Sequence, residues 1–396
     1  MQVGDVISRG DQETRRAHAI AALNAAPTAS SSPGVPSSQV LPPLERSILL
    51  TVLYADLFDY ALTRAELLER LIGTTASPAR VEAATCRLCA RYLFTEGEFV
   101  VWKGREGLIE LRHVRRRAAS GLWEGARRYG TWLARLPFVR MVAVSGSLAL
   151  ENAEPESDVD LFCITEANRL WLARLFIVPL SRLTRLFPAR FPLYLCPNYI
   201  LSTSALGVPD RNLFTAHEVT QAVPLWGRHT FRSFLAANAW VAEYLPHRSR
   251  RRSSADRLLA SSRPVLARAL EKLLRGPVGD ALNRLVHGLF VSFYRRRAER
   301  AGWNWAALAP AYERERYTVP EGGYVRVVQR LYERQVRDRL GAAVPASYMR
   351  ALFPESCSGG PAGSEWDELF LRDYGSMRSG GACASFDAFD SVDSAP

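Results

Sequence analysis

Apolar positions divide the chain into three differently patterned regions. Over 44–109, "LERSILLTVLYADLFDY" carries apolar residues at helical spacing, and "LTRAELLERLIG" follows with Thr63 as N-cap and Gly73 as stop. "SPARVEAATCRLCARYL" predicts a third helix, capped by Ser77 with Pro78 in the first turn. "FTEGEFVVWKGRE" then predicts two short strands around Glu96-Gly97. Three helices and a hairpin outline a winged helix. Its third helix has Arg80, Arg87 and Arg91 as basic residues, so it contacts a phosphate backbone, docks a partner or is purely structural. Lys103-Gly104-Arg105 ends the wing and reads first as a simple turn.

Over 110–205 the pattern changes. A long amphipathic helix (110–136) precedes the strand "VRMVAVSG", the short helix "SLALENA" and the strand "DVDLFCIT". The run Arg115-Arg116-Arg117 on the long helix reads as a solvated face. A helix follows in "RLWLARLFIVPLSRLTRLF", with Pro179 expected to kink it, then a third strand in "FPLYLCPNYILS". From about Asn212 to 350 the periodicity is helical throughout, and no internal repeat is evident. The expected fold class is α+β: a small mixed-sheet domain (110–205) between a winged helix (44–109) and a helical region (206–350). Residues 1–43, with "PTASSSPGVPSSQVLPP", and the Gly/Ser-rich, acidic stretch 351–396 are expected to be disordered.

Two short stretches carry the chemistry. In "SDVDLFCIT", strand alternation puts Asp158 and Asp160 on one face and Val159, Leu161 and Cys163 on the other. Paired carboxylates repel unless a cation sits between them, and oxygen-only ligation suits Mg²⁺ or Mn²⁺. Upstream, Ser145-Gly146-Ser147 links a strand to a helix. A glycine there lets backbone N–H groups approach an anion, and the Ser147 hydroxyl can donate to a phosphate or cap the helix.

"GSLALENAEPESDVDLFCI" resembles the signature of the DNA polymerase β-like nucleotidyltransferase superfamily: strand, Gly-Ser, helix, then Ser-Asp-x-Asp opening the next strand. Gly146, Ser147, Asp158 and Asp160 match it position by position, and Ser157 matches the serine that often precedes the first acid. The signature covers about 20 residues, and about 110 fit the domain around it. "NYILS", "LFTAHE" and "ANAW" also resemble segments of bacterial nucleotidyltransferase-domain proteins. The resemblance implies that Gly146 and Ser147, with Ser145 and Ser157 beside them, hold the phosphates of an NTP. It implies that Asp158 and Asp160 hold the metal, and that a nucleotide passes to an acceptor with release of pyrophosphate. The acceptor can be a small molecule, a nucleic acid or a protein.

One position departs from the pattern. The superfamily often carries a third acid on a later strand, and here "LYLCPNYILS" has Asn198 instead. An Asn can coordinate or hydrogen-bond but cannot accept the proton. Glu218 and Glu243 on following helices are the alternative bases, each weighed against a solvated helix-face acid. The alternative function is a non-catalytic nucleotide-sensing regulator that binds DNA or a protein through its winged helix. His217 reads mainly as a capping or surface residue, Asn238 as a helix contact and Trp240 as core packing, and "HRSRRRSS" (247–254) as a solvated basic loop.

Composition adds little. The net charge is +11, but Lys103 and Lys272 are the only lysines among the 51 basic residues and the arginines are spread widely. The charge therefore singles out no partner. Six cysteines in 396 residues do not make a disulfide framework, and Cys86-x-x-Cys89 lacks a second pair, so it reads as two thiols on a helix face. No apolar run reaches the roughly 18 residues of a membrane span, and the N-terminus lacks a secretory pattern. The expected location is cytoplasmic, with no membrane partner.

Overall fold

The computed structural model describes residues 41–155, 157–186, 195–247, 264–300, 302, 305–318 and 324–354. The expectations of disorder for 1–43 and 351–396 fall almost wholly outside these residues, as does most of the basic loop 247–254. The fold is mixed α+β with two small sheets.

Helix α1 (Pro43–Asp56) opens with proline in its first turn, and every residue from Ser47 to Asp56 is buried. A helix apolar on all sides must be covered on all sides, so α1 lies at the centre of a core. β1 (Leu62–Thr63) leads into α2 (Arg64–Glu69). There Thr63 and Glu66 form a capping box, each side chain bonded to the other's backbone N–H. Ser77 caps α3 (Pro78–Cys89), and β2 (Leu93–Glu96) and β3 (Phe99–Trp102) turn at Gly97, where φ is +55°. β3 lies between β1 and β2, antiparallel to both. The expected N-caps and hairpin are present, but α2 ends at Glu69, before the expected stop at Gly73. The two-residue strand β1 was not expected, being too short to show a period.

Helix α4 (Gly107–Ala134) carries the chain to the larger sheet. That sheet contains β4 (Val139–Val144), β5 (Val159–Thr165), β6 (Leu195–Ser202), β7 (Val223–Trp226) and β8 (Arg316–Thr318) in the order β7-β4-β5-β6-β8. β5 and β6 are parallel, joined across α6 (Leu170–Leu186), and the other neighbours are antiparallel. β7 and β8 correct the sequence reading, which confined the sheet to 110–205. Strands of four and three residues cannot display the alternation that marks longer ones.

The remaining helices are α7 (Leu213–Gln221), α8 (Arg228–Ala237), α9 (Val241–Tyr244), α10 (Val265–Leu273), α11 (Pro277–Arg300), α12 (Trp305–Leu308), α13 (Tyr324–Leu340) and α14 (Ala346–Leu352). One face of the sheet, with Met141, Ala143, Phe162 and Ile164, shares a core with α1, α7, α8 and α13. The opposite face, with Val142, Val144, Leu161 and Cys163, packs under α4, α6 and α11. Arg174, which interrupts the most apolar stretch of the sequence, is buried on this second face with its guanidinium 3.9 Å from the centre of the Tyr317 ring. No helix among the described residues is long and apolar enough to cross a membrane.

Candidate functional site

The site forms where β4 ends and β5 begins. Strand alternation holds as expected. Val159, Leu161 and Cys163 enter the core on one face, while Asp160 shares the other face with Phe162, which packs on Tyr199 and Phe234. Asp160 is only 9% exposed, and Asp158, one residue before the strand, is half-buried. The Ser145 N–H donates to the Asp160 carbonyl at 3.0 Å, fixing the turn to β5. That N–H is therefore committed to the strand.

Gly146 follows with φ +62° and faces the Asp160 carboxylate. A Cβ on Gly146 would collide with Asp160 Oδ2 and lie 3.0 Å from its Cγ. Both the left-handed backbone and the close approach require glycine here. Four-residue α5 (Gly146–Ala149) follows, and the Ser147 carbonyl accepts from the N–H groups of Leu150 (3.2 Å) and Asn152 (2.9 Å).

Asn198 completes the cluster. Between β5 and β6 the register steps from Asp160–Cys196 to Phe162–Tyr199, so β6 carries one extra residue. Such a bulge re-aims a side chain. Asn198 Nδ2 donates to Asp160 Oδ1 at 3.0 Å, and Asn198 Oδ1 is buried with no hydrogen-bond partner. Two carboxylates and an orphaned amide oxygen make an all-oxygen donor set that fits a hard divalent cation such as Mg²⁺ or Mn²⁺. Among the described residues, no group of three or more His, Cys, Asp or Glu side chains could hold a metal. No third His, Cys, Asp or Glu therefore joins the pair among them.

The other candidates are distributed unevenly. Ser157 is engaged locally: its Oγ accepts from the Glu154 N–H at 3.0 Å and its own N–H returns to the Glu154 carbonyl. Glu218 is half-buried on α7, a helix that packs against α5, and accepts a hydrogen bond from Gln221. Glu243 is exposed on α9. His217 is buried and stacks on Tyr54, ring centres 4.3 Å apart. Asn238 ends α8 as a buried knot. Its Oδ1 accepts from Val208 N–H and the Trp240 indole, and its Nδ2 donates to the carbonyls of Leu206 and Phe234.

The reading of Arg115 as part of a solvated face is corrected. Arg117 is exposed, but Arg115 is buried, donating to the Asp59 carbonyl (3.2 Å) and to Glu154 (2.9 Å). One turn earlier, Arg112 is 1% exposed. It donates to the carbonyls of Leu150 and Glu151 at 2.7 Å each, and to the Tyr60 hydroxyl at 3.0 Å. Glu66 lies 3.3 Å from Arg112 and accepts from Tyr60. Burial pushes the Tyr60 phenol up to about 12. Burial also works to raise the Glu66 carboxyl, but Arg70, the Thr63 N–H and Tyr60 together hold it below its usual range. The loop leaving α5 is therefore clamped to the first three-helix unit. The sequence did contain the signal: Arg112 and Arg115 fall on the same stripe of α4 as Leu108, Ala119 and Leu122, all buried.

No family model, no curated protein and no solved structure matches this chain.

Proposed function

We propose that the chain is a metal-dependent nucleotidyltransferase, moving a nucleotide from an NTP to an acceptor and releasing pyrophosphate. The observation that carries this reading is the contact of Gly146, in a left-handed conformation, with the Asp160 carboxylate. In this reading that contact puts the phosphate-holding turn beside the metal-holding acids. The strand order, with antiparallel β4–β5 and parallel β5–β6 around α6, supports the same fold resemblance.

In this reading Asp158 and Asp160, with Asn198 Oδ1 as third donor, would hold a divalent cation, which when bound would supply charge neutralisation for the triphosphate. The residues around it position the nucleotide. The Gly146 and Ser147 backbone, with the Ser147 hydroxyl, holds phosphate oxygens. Ser145 fixes the turn to β5, and Ser157 holds the loop before Asp158. Asn198 orients the Asp160 carboxylate but takes no proton, so the acceptor's proton goes to another group. Glu218 is favoured over the exposed Glu243 because α7 packs on α5.

The test is transfer of label from each NTP, with Mg²⁺ or Mn²⁺, to components of a cell lysate. Asp158→Ala with Asp160→Ala should abolish labelling and leave the fold intact. A double mutant that binds metal and NTP as wild type does would overturn the assignment.

A second reading, a nucleotide-sensing regulator without turnover, draws on Asn198 standing where an acid is expected. The order β1-β3-β2 with α1–α3 supports a winged helix. Its third helix is poorly equipped for DNA, however. Arg87 pairs with Glu45 at 2.9 Å, and the helix brings an acid of its own, Glu82, which pairs with Arg64. Arg91, just past the end of α3, lies over the Tyr92 ring. At the wing, Arg105 is held by Asp56 and Asp59, as a structural turn requires. A salt-titrated gel shift separates the readings: selective DNA binding that changes with NTP, without pyrophosphate release, favours the regulator.

A further inference from the structure

Among the described residues, every exposed large apolar side chain except Leu175 lies on α10 or α11. On α11 they are Val278, Leu282, Leu285, Leu289 and Phe293. Their spacing of four, three, four and four keeps them on one side of the helix. The other side is buried through Asn283, Val286, Tyr294 and Ala298. Asn283 Oδ1 accepts from the N–H groups of Trp171 and Leu172 at 3.0 and 3.1 Å, so α11 is held with this stripe outward. On α10, Val265, Leu266 and Leu273 project further, at 73%, 80% and 73% exposure.

The charge left over on these two helices has one sign. All three acids of the two helices are committed: Glu271 to Arg140, Asp280 to Arg169, and Glu299 to Arg295. Arg268, Lys272, Arg284, Arg296 and Arg300 stand exposed on the same two helices, with Arg275 exposed between them. A second copy of this face would bring like charges together. A nucleic-acid backbone offers nothing to protruding leucines. A folded partner would need a pocket for each projecting side chain, whereas a fluid hydrocarbon phase conforms to them.

We propose that α10 and α11 lie on an anionic phospholipid bilayer, the apolar stripe entering the headgroup boundary and the arginines meeting lipid phosphates. The face lies on a membrane and does not cross it, in keeping with the lack of a spanning helix among the described residues.

The test is sedimentation of the full chain with vesicles of phosphatidylcholine alone and of phosphatidylcholine mixed with phosphatidylglycerol, at low and high salt. Pelleting with the anionic vesicles only, weakened by salt, is the expected result. Leu285→Ser with Leu289→Ser should weaken partitioning roughly tenfold or more, since each loses the burial of a leucine side chain. Arg296→Glu with Arg300→Glu should also weaken it. Both pairs are exposed, so melting temperatures should match wild type. The proposal is overturned if the chain ignores both vesicle types, as it would if a second copy or its own acidic C-terminal stretch covered the stripe. Pelleting that the leucine pair leaves unchanged would overturn it equally, because binding would then be electrostatic alone.

Discussion

Gly146 and Gly97 share almost the same backbone conformation, φ +62° and +55°, yet differ in what surrounds them. A Cβ on Gly97 meets nothing within 4 Å, whereas one on Gly146 meets the Asp160 carboxylate. Gly97→Ala should therefore cost only the left-handed backbone term, about 1 kcal/mol, and leave any labelling activity unchanged. Gly146→Ala should cost more than that and displace Asp160, removing metal-dependent NTP binding. Thermal melts of the two variants with and without Mn²⁺ and NTP check this, and equal effects would detach Gly146 from the site. Asn198 gives the complementary prediction. Asn198→Asp sets a third carboxylate beside Asp160 in place of a 3.0 Å hydrogen bond. Without divalent ion, like-charge repulsion should lower the melting temperature. With Mg²⁺ or Mn²⁺ the loss should reverse, and the metal-induced rise should exceed that of wild type. A loss indifferent to metal would place Asn198 outside the ligand set.

At the scale of elements, the telling contact is α4 with the loop after α5. Arg112 joins Leu150, Glu151, Tyr60 and Glu66 in one buried node. Removing Arg112 takes the buried donor from the Leu150 and Glu151 carbonyls, at about 1–3 kcal/mol each. Arg112→Met should lower stability on that scale and weaken NTP binding, because Leu150 and Glu151 end the helix that begins at Gly146. Arg116→Ala, on a half-exposed side chain 3.4–3.6 Å from Glu98 and Glu151, should stay within about 0.5 kcal/mol. The node also has a pH signature. The Glu66 carboxyl is held below the usual carboxylate range in the folded chain, so its contribution is full above that range and lost as pH falls through the folded value. Stability of Arg70→Met, which removes the largest charge holding Glu66 down, should consequently fall less steeply on the acid side, as denaturant melts at several acidic pH values would show. What could be read from sequence divides along the same line. The caps at Thr63 and Ser77, the Gly97 turn and the inward set Val159, Leu161 and Cys163 are local patterns, and all are legible. The β6 bulge that brings Asn198 to Asp160 depends on register between strands remote in sequence, and no single segment shows it. β7 and β8 are too short to announce themselves. Arg112 and Arg115 were legible only to a reader willing to bury arginine on an apolar stripe.

The molecule as a whole is tied together at α1, and this decides how it should unfold. The sequence reads as consecutive units, 44–109, 110–205 and 206–350. In the structure the last of these adds to the cover that α3 and β3 give α1. The Tyr332 hydroxyl of α13 donates to the Leu50 carbonyl at 2.8 Å, His217 of α7 stacks on Tyr54, and the Gly73 N–H reaches the Tyr244 carbonyl at 2.8 Å. One apolar cluster runs from Ile48 through Phe162 and Phe234 to Phe353. A fragment ending at Thr318 would bare the flank of α1 that Val328, Tyr332 and Val336 cover, and a helix buried on all sides cannot face water there at acceptable cost. Such a fragment should show increased protease cleavage within 44–109, far from the truncation itself. Tyr332→Ala in the intact chain should act in the same direction, at about 3–5 kcal/mol for an emptied aromatic site, whereas Tyr332→Phe should cost about 1 kcal/mol for the hydrogen bond alone. If α1 shares its stability with α13, denaturant unfolding of the full chain should follow one transition by both circular dichroism and tryptophan fluorescence. Two separated transitions, with 44–109 surviving the loss of α13, would show that the first unit stands alone and that its packing against the C-terminal helices carries no stability.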